Sequence, residues 1–307
     1  MKIAIPDLIS NSYFPAIAAA EMGFWKTEGL DLQLELLFPV TGAMEALRDG
    51  QYDFVAGTAS AILSAFPEWQ GAKILAALAQ RTYWFLVLRA DLRAKRGDVQ
   101  AVKGLRIGAA PGVDVGLKRL LREYGIDPQR DVQIGPVPGT AAASVSFGVT
   151  AAQALADGQL DGFWANGMGA EVAVRRGIGT VVLDVRRGDG PPGAQTYTFP
   201  ALVTRDDLVE RQPEAVTAAV RGLVAAQQAL RRNPDSATAV GRRIFPPMEA
   251  GLIAELIRRD APYYDPTVSP DIVGDLNRFA QDMGLLAGPV PYEQVVATKF
   301  SHLWQIA

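Results

Sequence analysis

Residues 46–57 read ALRDGQYDFVAG and residues 154–167 read ALADGQLDGFWANG, with Ala-Leu-x-Asp-Gly-Gln-x-Asp at the same spacing in both. A helix that ends on Ala-Leu-x-Asp needs a left-handed residue to turn the chain, and Gly50 and Gly158 supply it without steric cost. Asp53 and Asp161 then lead into short apolar runs, the length and composition of buried strands. Two copies of one helix–turn–strand unit, about 108 residues apart by subtraction of Ala46 from Ala154, point to a duplicated architecture.

The match extends outward from this unit. KIAI (2–5) and LRIGAA (105–110) are strand-like and lead into helical segments. These segments stop at Gly29-Leu30-Asp31 and Gly125-Ile126-Asp127, and second strands follow in LQLELL (32–37) and VQIGPV (132–137). Each copy is therefore β-α-β-α-β, which predicts an α/β protein with two lobes, each a mainly parallel sheet flanked by helices. YWFLVLRA (83–90) carries the chain out of the first lobe, and TYTFPALVTRDDL (196–208) brings it back. The expected organisation is residues 1–85 and 200–307 as lobe one, residues 88–195 as lobe two, and crossing hinge strands at about 83–90 and 196–204. From Asp207 onward the pattern is helical, beginning with the apolar stripe that follows Pro213, and these helices are expected to pack on lobe one.

Composition narrows the function. The chain has 307 residues, about two domains at ~150 residues each. Apolar residues make up 49% and charged residues 21%, so a sizeable core is expected. Thirty basic against 33 acidic residues leave a net charge of −3, which argues against nucleic acid as a partner. There are no cysteines, which excludes disulfides, thiol nucleophiles and Cys-based zinc or iron–sulfur centres. The single histidine, His302, lies in a helical segment near the end, where a packed or exposed side chain is the expected role. No cofactor and no metal site is expected. The longest uncharged run, Val132 to Ala156, is broken by Gly135, Pro136, Pro138, Gly139 and Gly148 and reads as strand, loop and helix start, not as a membrane span. The first residues are already strand-like, with no leader ahead of them, as in a cytoplasmic protein or a mature secreted chain.

In open α/β sheets ligands bind beyond the carboxyl ends of the strands. The rim after the first strand offers Ser10, Asn11, Ser12 and Tyr13, with Asn11 and Ser12 placed to cap the next helix. Thr58 and Ser60 occupy the rim after the first repeat, with Ser60 as a second expected cap. On the second lobe, Gly112 permits close backbone approach, and Asp114 stands at a helix N-terminus. Trp164 and Asn166 close the second repeat. Arg81 follows the ILAALAQ strand at the hinge and could pair with an anion. Trp84 and Tyr197 lie on the crossing strands, Ser144, Ser146 and Phe147 in a long stretch that could shape the same rim. Asp53 and Asp161 are explained by the repeat as equivalent structural positions, not as a catalytic pair.

The segments YFPAIAAAEMGFWKTEGLDLQLE (13–35), LRDGQYDFVAGTAS (47–60), KGLRIGAAPG (103–112) and REYGIDPQRDVQIGPVP (122–138) resemble the alkanesulfonate, taurine and nitrate branch of ABC-importer solute-binding proteins, which also holds binders of thiamine-precursor pyrimidines. The resemblance covers about residues 1 to 230. It implies a type II periplasmic-binding-protein fold, a ligand clamped by hinge closure, a membrane permease as partner, a periplasmic location and a monomer. By position it places ligand contacts on Ser10 to Tyr13, Thr58 to Ser60, Arg81, Gly112 to Asp114, Trp164 and Asn166. PGVDVG (111–116) departs from the Ser or Thr of anion-binding members, which points to a neutral or mono-anionic solute, cyclic or aromatic, stacked on Tyr13, Trp84 or Trp164 and bridging Asn11 or Ser12 to Asn166. Two alternatives share the fold: a dehydratase of the menaquinone-precursor type, and a ligand-sensing module. The yeast-type thiamine-pyrimidine synthases carry a Cys-rich motif that this chain lacks.

Overall fold

The computed structural model describes residues 1–140 and 146–305. Ten strands form two five-stranded sheets. The first contains β1 (Lys2–Ile5), β2 (Gln33–Leu36), β3 (Phe54–Thr58), β4 (Ala72–Ala77) and β10 (Pro200–Arg205), in the order β2-β1-β3-β10-β4. The second contains β5 (Phe85–Arg89), β6 (Arg106–Ala109), β7 (Gln133–Gly135), β8 (Gly162–Ala165) and β9 (Gly179–Asp184), in the order β7-β6-β8-β5-β9. The orders are equivalent, so the sequence repeat is a structural repeat. Each sheet is mixed. β1 runs parallel to β2 and β3, while β10 runs antiparallel to β3 and β4. In the second sheet β5 is the antiparallel strand.

The antiparallel strand in each sheet is the one that follows a crossing of the chain between sheets. The two crossings are tied together at Thr82, whose backbone N–H donates to Gln195 O at 2.8 Å and whose hydroxyl donates to Thr198 O at 3.2 Å. Because backbone donors must be satisfied, this pairing holds two otherwise irregular segments side by side.

The repeated turn forms as read. Gly50 and Gly158 adopt φ of 74° and 69°, closing the helices Val40–Arg48 and Phe147–Ala156. Asp53 and Asp161 are structural: each carboxylate accepts the backbone N–H of the first residue of the neighbouring strand, Lys2 at 2.8 Å and Arg106 at 2.9 Å. The C-terminal helices pack on the first sheet. The longest, Pro213–Arg232, lies against helix Phe14–Glu21, and Trp25 donates its indole N–H to Ala219 O at 3.0 Å. Gln227 donates to the carbonyls of Ala77 and Leu78 at 2.9 and 2.8 Å, satisfying the carboxyl end of β4. No helix among the described residues is long and apolar enough to cross a membrane.

Candidate functional site

The carboxyl ends of β1, β3, β6 and β8 face one another across the gap between the sheets, and a cavity of about 40 Å³ lies there. Its lining comes from both sides: Asp7, Tyr13 and Phe38 with the first sheet, Trp84, Phe147 and Asn166 with the second, and Tyr83 on the crossing between them. Pro6, Val40, Ala110, Val113 and Ala165 complete an apolar wall. This space suits a water or two and no organic solute, so the arrangement is a closed one.

Aromatic side chains set its shape. Phe38 and Phe147 stack across the gap, ring centroids 5.8 Å apart and planes at 18°. Trp84 is packed between Tyr83, at 5.3 Å, and Trp164, at 5.6 Å. Gly116 makes room for it: a Cβ there would stand 2.3 Å from Trp84 Cζ3. At one end, three hydroxyls meet, Tyr13 to Tyr83 at 2.9 Å and Thr58 to Tyr83 at 2.6 Å. Burial raises both phenols above their ordinary values, so they remain donors.

At the other end is Asp7. One carboxylate oxygen accepts the Ile9 backbone N–H at 2.9 Å, a local turn just beyond β1. The other accepts the Ser146 hydroxyl at 3.0 Å and the Asn166 amide at 3.1 Å, both from the second-sheet side. Burial pushes the Asp7 carboxyl up to about 6, only partly offset by these hydrogen bonds, and no cation contributes. Asp7 is thus a buried carboxyl on the cavity wall, held by hydrogen bonds from both sides.

The sequence-derived candidates are distributed unevenly around this cavity. Tyr13 and Trp84 line it, as does Asn166. Thr58 backs it through the hydroxyl cluster. Asn11 and Asn166 each reach across the two sides: the Asn11 oxygen accepts the Met168 backbone N–H at 2.9 Å, and the Asn166 amide donates to Asp7 at 3.1 Å. The expected capping by Asn11 and Ser12 does not occur. Helix Phe14–Glu21 has Tyr13 at its N-cap with no side-chain cap bond, because Asn11 is turned to Asp260 and the second side. Ser10 instead accepts the Ser12 backbone N–H at 3.1 Å. Ser60 does not cap either: its own N–H is taken by Thr198, and Thr58 heads the turn Ala59–Ser64 without a side-chain bond.

Trp164 lies behind Trp84, fully buried, and is not part of the cavity wall. Gly112, at φ 80°, brings the second-sheet rim against Thr41, where a Cβ would stand 2.8 Å from the Thr41 methyl. Asp114 turns back to accept the Gly112 N–H at 3.0 Å and pairs with Lys118, away from the cavity. Arg81 lies in a separate groove of about 430 Å³ with Gln80, Thr198 and Tyr263. Tyr197 donates to Glu123 at 2.6 Å and stacks on Phe279, joining the two sides outside the cavity. Phe147 and Ser146 are at the site as expected, whereas Ser144 lies outside the described residues. The residues missed, Asp7 and Phe38, both follow the carboxyl ends of strands β1 and β2, and strict use of the rim rule would have flagged them. Among the described residues no acidic or histidine cluster is arranged to hold a metal ion.

A two-sheet α/β molecule with paired crossings and a closed interlobe cavity has the type II periplasmic-binding-protein fold. The chain belongs to the NMT1-like family, which it matches over residues 9–244. No curated protein matches its sequence. Among solved structures it is similar to the alkanesulfonate-binding protein SsuA from Xanthomonas axonopodis pv. citri bound to MOPS, at 14% identity over 98% of this chain and 96% of that one, with a TM-score of 0.71. The periplasmic nitrate-binding protein NrtA from Synechocystis PCC 6803 aligns at 16% identity over 99% and 86%, with a TM-score of 0.70. The desulfurization enzyme DSZB aligns at 18% over 98% and 97%, with a TM-score of 0.65, so the fold serves both binding proteins and an enzyme.

Proposed function

We propose that the protein is the solute-binding component of an ABC importer, that it works in the periplasm as a monomer, and that it presents its solute to a membrane permease. Lobe one is residues 1–85 and 200–307, lobe two is residues 88–195, and the hinge strands at about 83–90 and 196–204 let them close on the solute. The solute is small, flat and uncharged, carries an apolar ring, and offers an N–H or O–H donor to Asp7. The observation that carries this reading is the chemistry of the cavity wall: aromatic and aliphatic side chains, one buried carboxyl, the Asn166 amide, and no guanidinium or ammonium group among its lining residues.

A sulfonate or nitrate would need cationic or multiple N–H partners, and a carboxylate at Asp7 would repel it. An uncharged donor-bearing ring satisfies Asp7 and gives Phe38 and Trp84 an aromatic face to pack on once the lobes part. Enzymes remain the second reading because DSZB shares the fold. The chain has no cysteine, and His302 is exposed on the last turn, hydrogen-bonded to Lys299 O, which counts against thiol or imidazole chemistry but not against a dehydratase of the menaquinone-precursor type, which needs neither residue. A ligand-sensing module would use the same cavity.

The test is a thermal-shift screen on denatured and refolded protein, with amino- and hydroxy-substituted heteroaromatics set against aromatic carboxylates, sulfonates and nitrate. A solute at ~100-fold its dissociation constant should add about 2.7 kcal/mol. The proposal expects the largest shifts from uncharged donor-bearing rings, recovered intact after incubation. Shifts confined to sulfonates or nitrate, or consumption of the hit, would contradict it.

A further inference from the structure

We infer that Arg186 and Tyr264 form a buried binding site for a small carboxylate-type anion where the two halves of the molecule meet, separate from the aromatic cavity. Arg186 follows β9 and is 2% exposed, yet it is not tied down as a buried cation should be. Its Nη1 lies 3.1 Å from Asp260 Oδ2. Its Nε and Nη2 have no acceptor among the described residues. Those two nitrogens share one edge of the planar guanidinium and point their N–H bonds the same way, the edge that holds a carboxylate by two parallel hydrogen bonds.

Asp260 cannot serve that edge as well. Its Oδ1 accepts from Arg187 Nη2 at 2.8 Å, and its Oδ2 also accepts from Asn11 at 2.6 Å. Arg187 is paired with Asp184 as well, at 2.9 Å, whereas Asp260 is the one carboxylate paired with Arg186 among the described residues, and Arg186 shares it. The rings of Tyr83 and Tyr263 lie 5.7 and 5.5 Å from the Arg186 guanidinium carbon, so aromatic groups border it, and the Nε–Nη2 edge is its unpaired side among the described residues.

The hydroxyl of Tyr264 supplies the second, independent observation. The residue is 1% exposed and its hydroxyl also has no partner among the described residues. Tyr264 directly follows Tyr263, whose ring lies 5.5 Å from the Arg186 guanidinium carbon, and the charges of Asp260 and Arg186 both act on it. The guanidinium fork can only donate, and the phenol can donate beside it, a set that a carboxylate satisfies. Arg186 follows a strand of the second sheet, and Asp260 and Tyr264 belong to the C-terminal helices packed on the first. An anion held there ties the two halves together and enters when they separate.

The ligand is a planar carboxylate free in solution, not one carried on the solute of the aromatic cavity, which the ring of Tyr83 divides from Arg186. Calorimetric titration of sodium formate and of sodium benzoate, at fixed ionic strength, into wild type, Arg186→Lys and Tyr264→Phe separates these. Lysine keeps a charge beside Asp260 and removes the fork. The expected result is saturable formate binding to wild type, at least tenfold weaker in Arg186→Lys and several-fold weaker in Tyr264→Phe, with circular dichroism unchanged in both. Saturable benzoate binding with the same dependence and no formate binding would place the carboxylate on the cavity solute and overturn the separate site. Absence of saturable binding by either anion, or affinities undiminished in the variants, overturns it. Should Arg186→Lys fail to fold, equal formate affinities in Tyr264→Phe and wild type overturn it on their own.

Discussion

The two copies of the repeated turn do the same mechanical work and then diverge. In both, a left-handed glycine ends a helix and an aspartate laces the next strand to its neighbour, Asp53 to Lys2 and Asp161 to Arg106. The second lace is stronger, because the Arg106 side chain also grips Asp161 through Nε at 2.9 Å and Nη2 at 3.0 Å. That hydrogen bonding holds the Asp161 carboxyl below its usual range. After the aspartate the copies part. The first continues with Phe54, fully buried, and the second with Gly162, where a Cβ would meet the Val87 carbonyl at 2.6 Å. The first ends at Thr58 in a hydroxyl cluster, and the second at Asn166, which caps helix Gly167–Arg175 and reaches Asp7. Backbone geometry is repeated because the turn demands it; rim chemistry is not, because each rim faces the other.

The comparison can be broken at its centre. Phe54→Ala should cost about 3–5 kcal/mol by emptying the first core, and Gly162→Ala about 1–3 kcal/mol by overfilling the second. Chemical denaturation measures both, and a neutral Gly162→Ala would show that the second copy does not need its glycine. Next, Asp161→Ala should destabilise by about 2 kcal/mol and Asp53→Ala by about 1 kcal/mol, each losing a charge-assisted bond to a strand N–H. The half-exposed Arg106 adds only part of its pairing energy because solvent screens it. Equal losses would mean that the guanidinium contributes nothing.

The smallest effect separates the rims by pH. Asp7 follows β1, while the second rim has Pro111 at the matching place and no carboxyl. Burial raises Asp7 to about 6, against ~3.9 in an unfolded chain. The folded state therefore binds the proton more tightly, and the stability this brings is lost as pH rises from about 4 through 6. Lowering pH from 7 to 5 should add about 1 kcal/mol from this group. Melting curves of wild type and Asp7→Asn would read it, and an identical pH slope in the two would dismiss it.

Much of this was legible in the sequence. Two glycines at fixed distance from two aspartates gave the duplicated α/β units, and the apolar runs at 83–90 and 196–208 gave the crossings, because turns and strands are local. Tyr13 and Asn166, read from rim positions, and Trp84, read from a crossing strand, line the cavity. What failed was long-range. Asn11 and Ser12 look like caps until Asp260, 249 residues later, claims the Asn11 amide. Alternation along a strand does not tell which aromatic faces the gap, so Trp164 and Trp84 could not be ranked. Arg81 reads as a hinge cation, but its φ of 70° turns it into the other groove. Asp7 was passed over because its environment is made by Ser146 and Asn166, residues of the other lobe.

The account rests most on Asp7 as the one carboxyl on the cavity wall. Calorimetric titration of the best uncharged heteroaromatic from the screen into wild type and Asp7→Asn at pH 7 tests it directly. The prediction is one site in wild type and at least tenfold weaker binding in Asp7→Asn, about 1.4 kcal/mol or more. Equal affinity in the two proteins would contradict it.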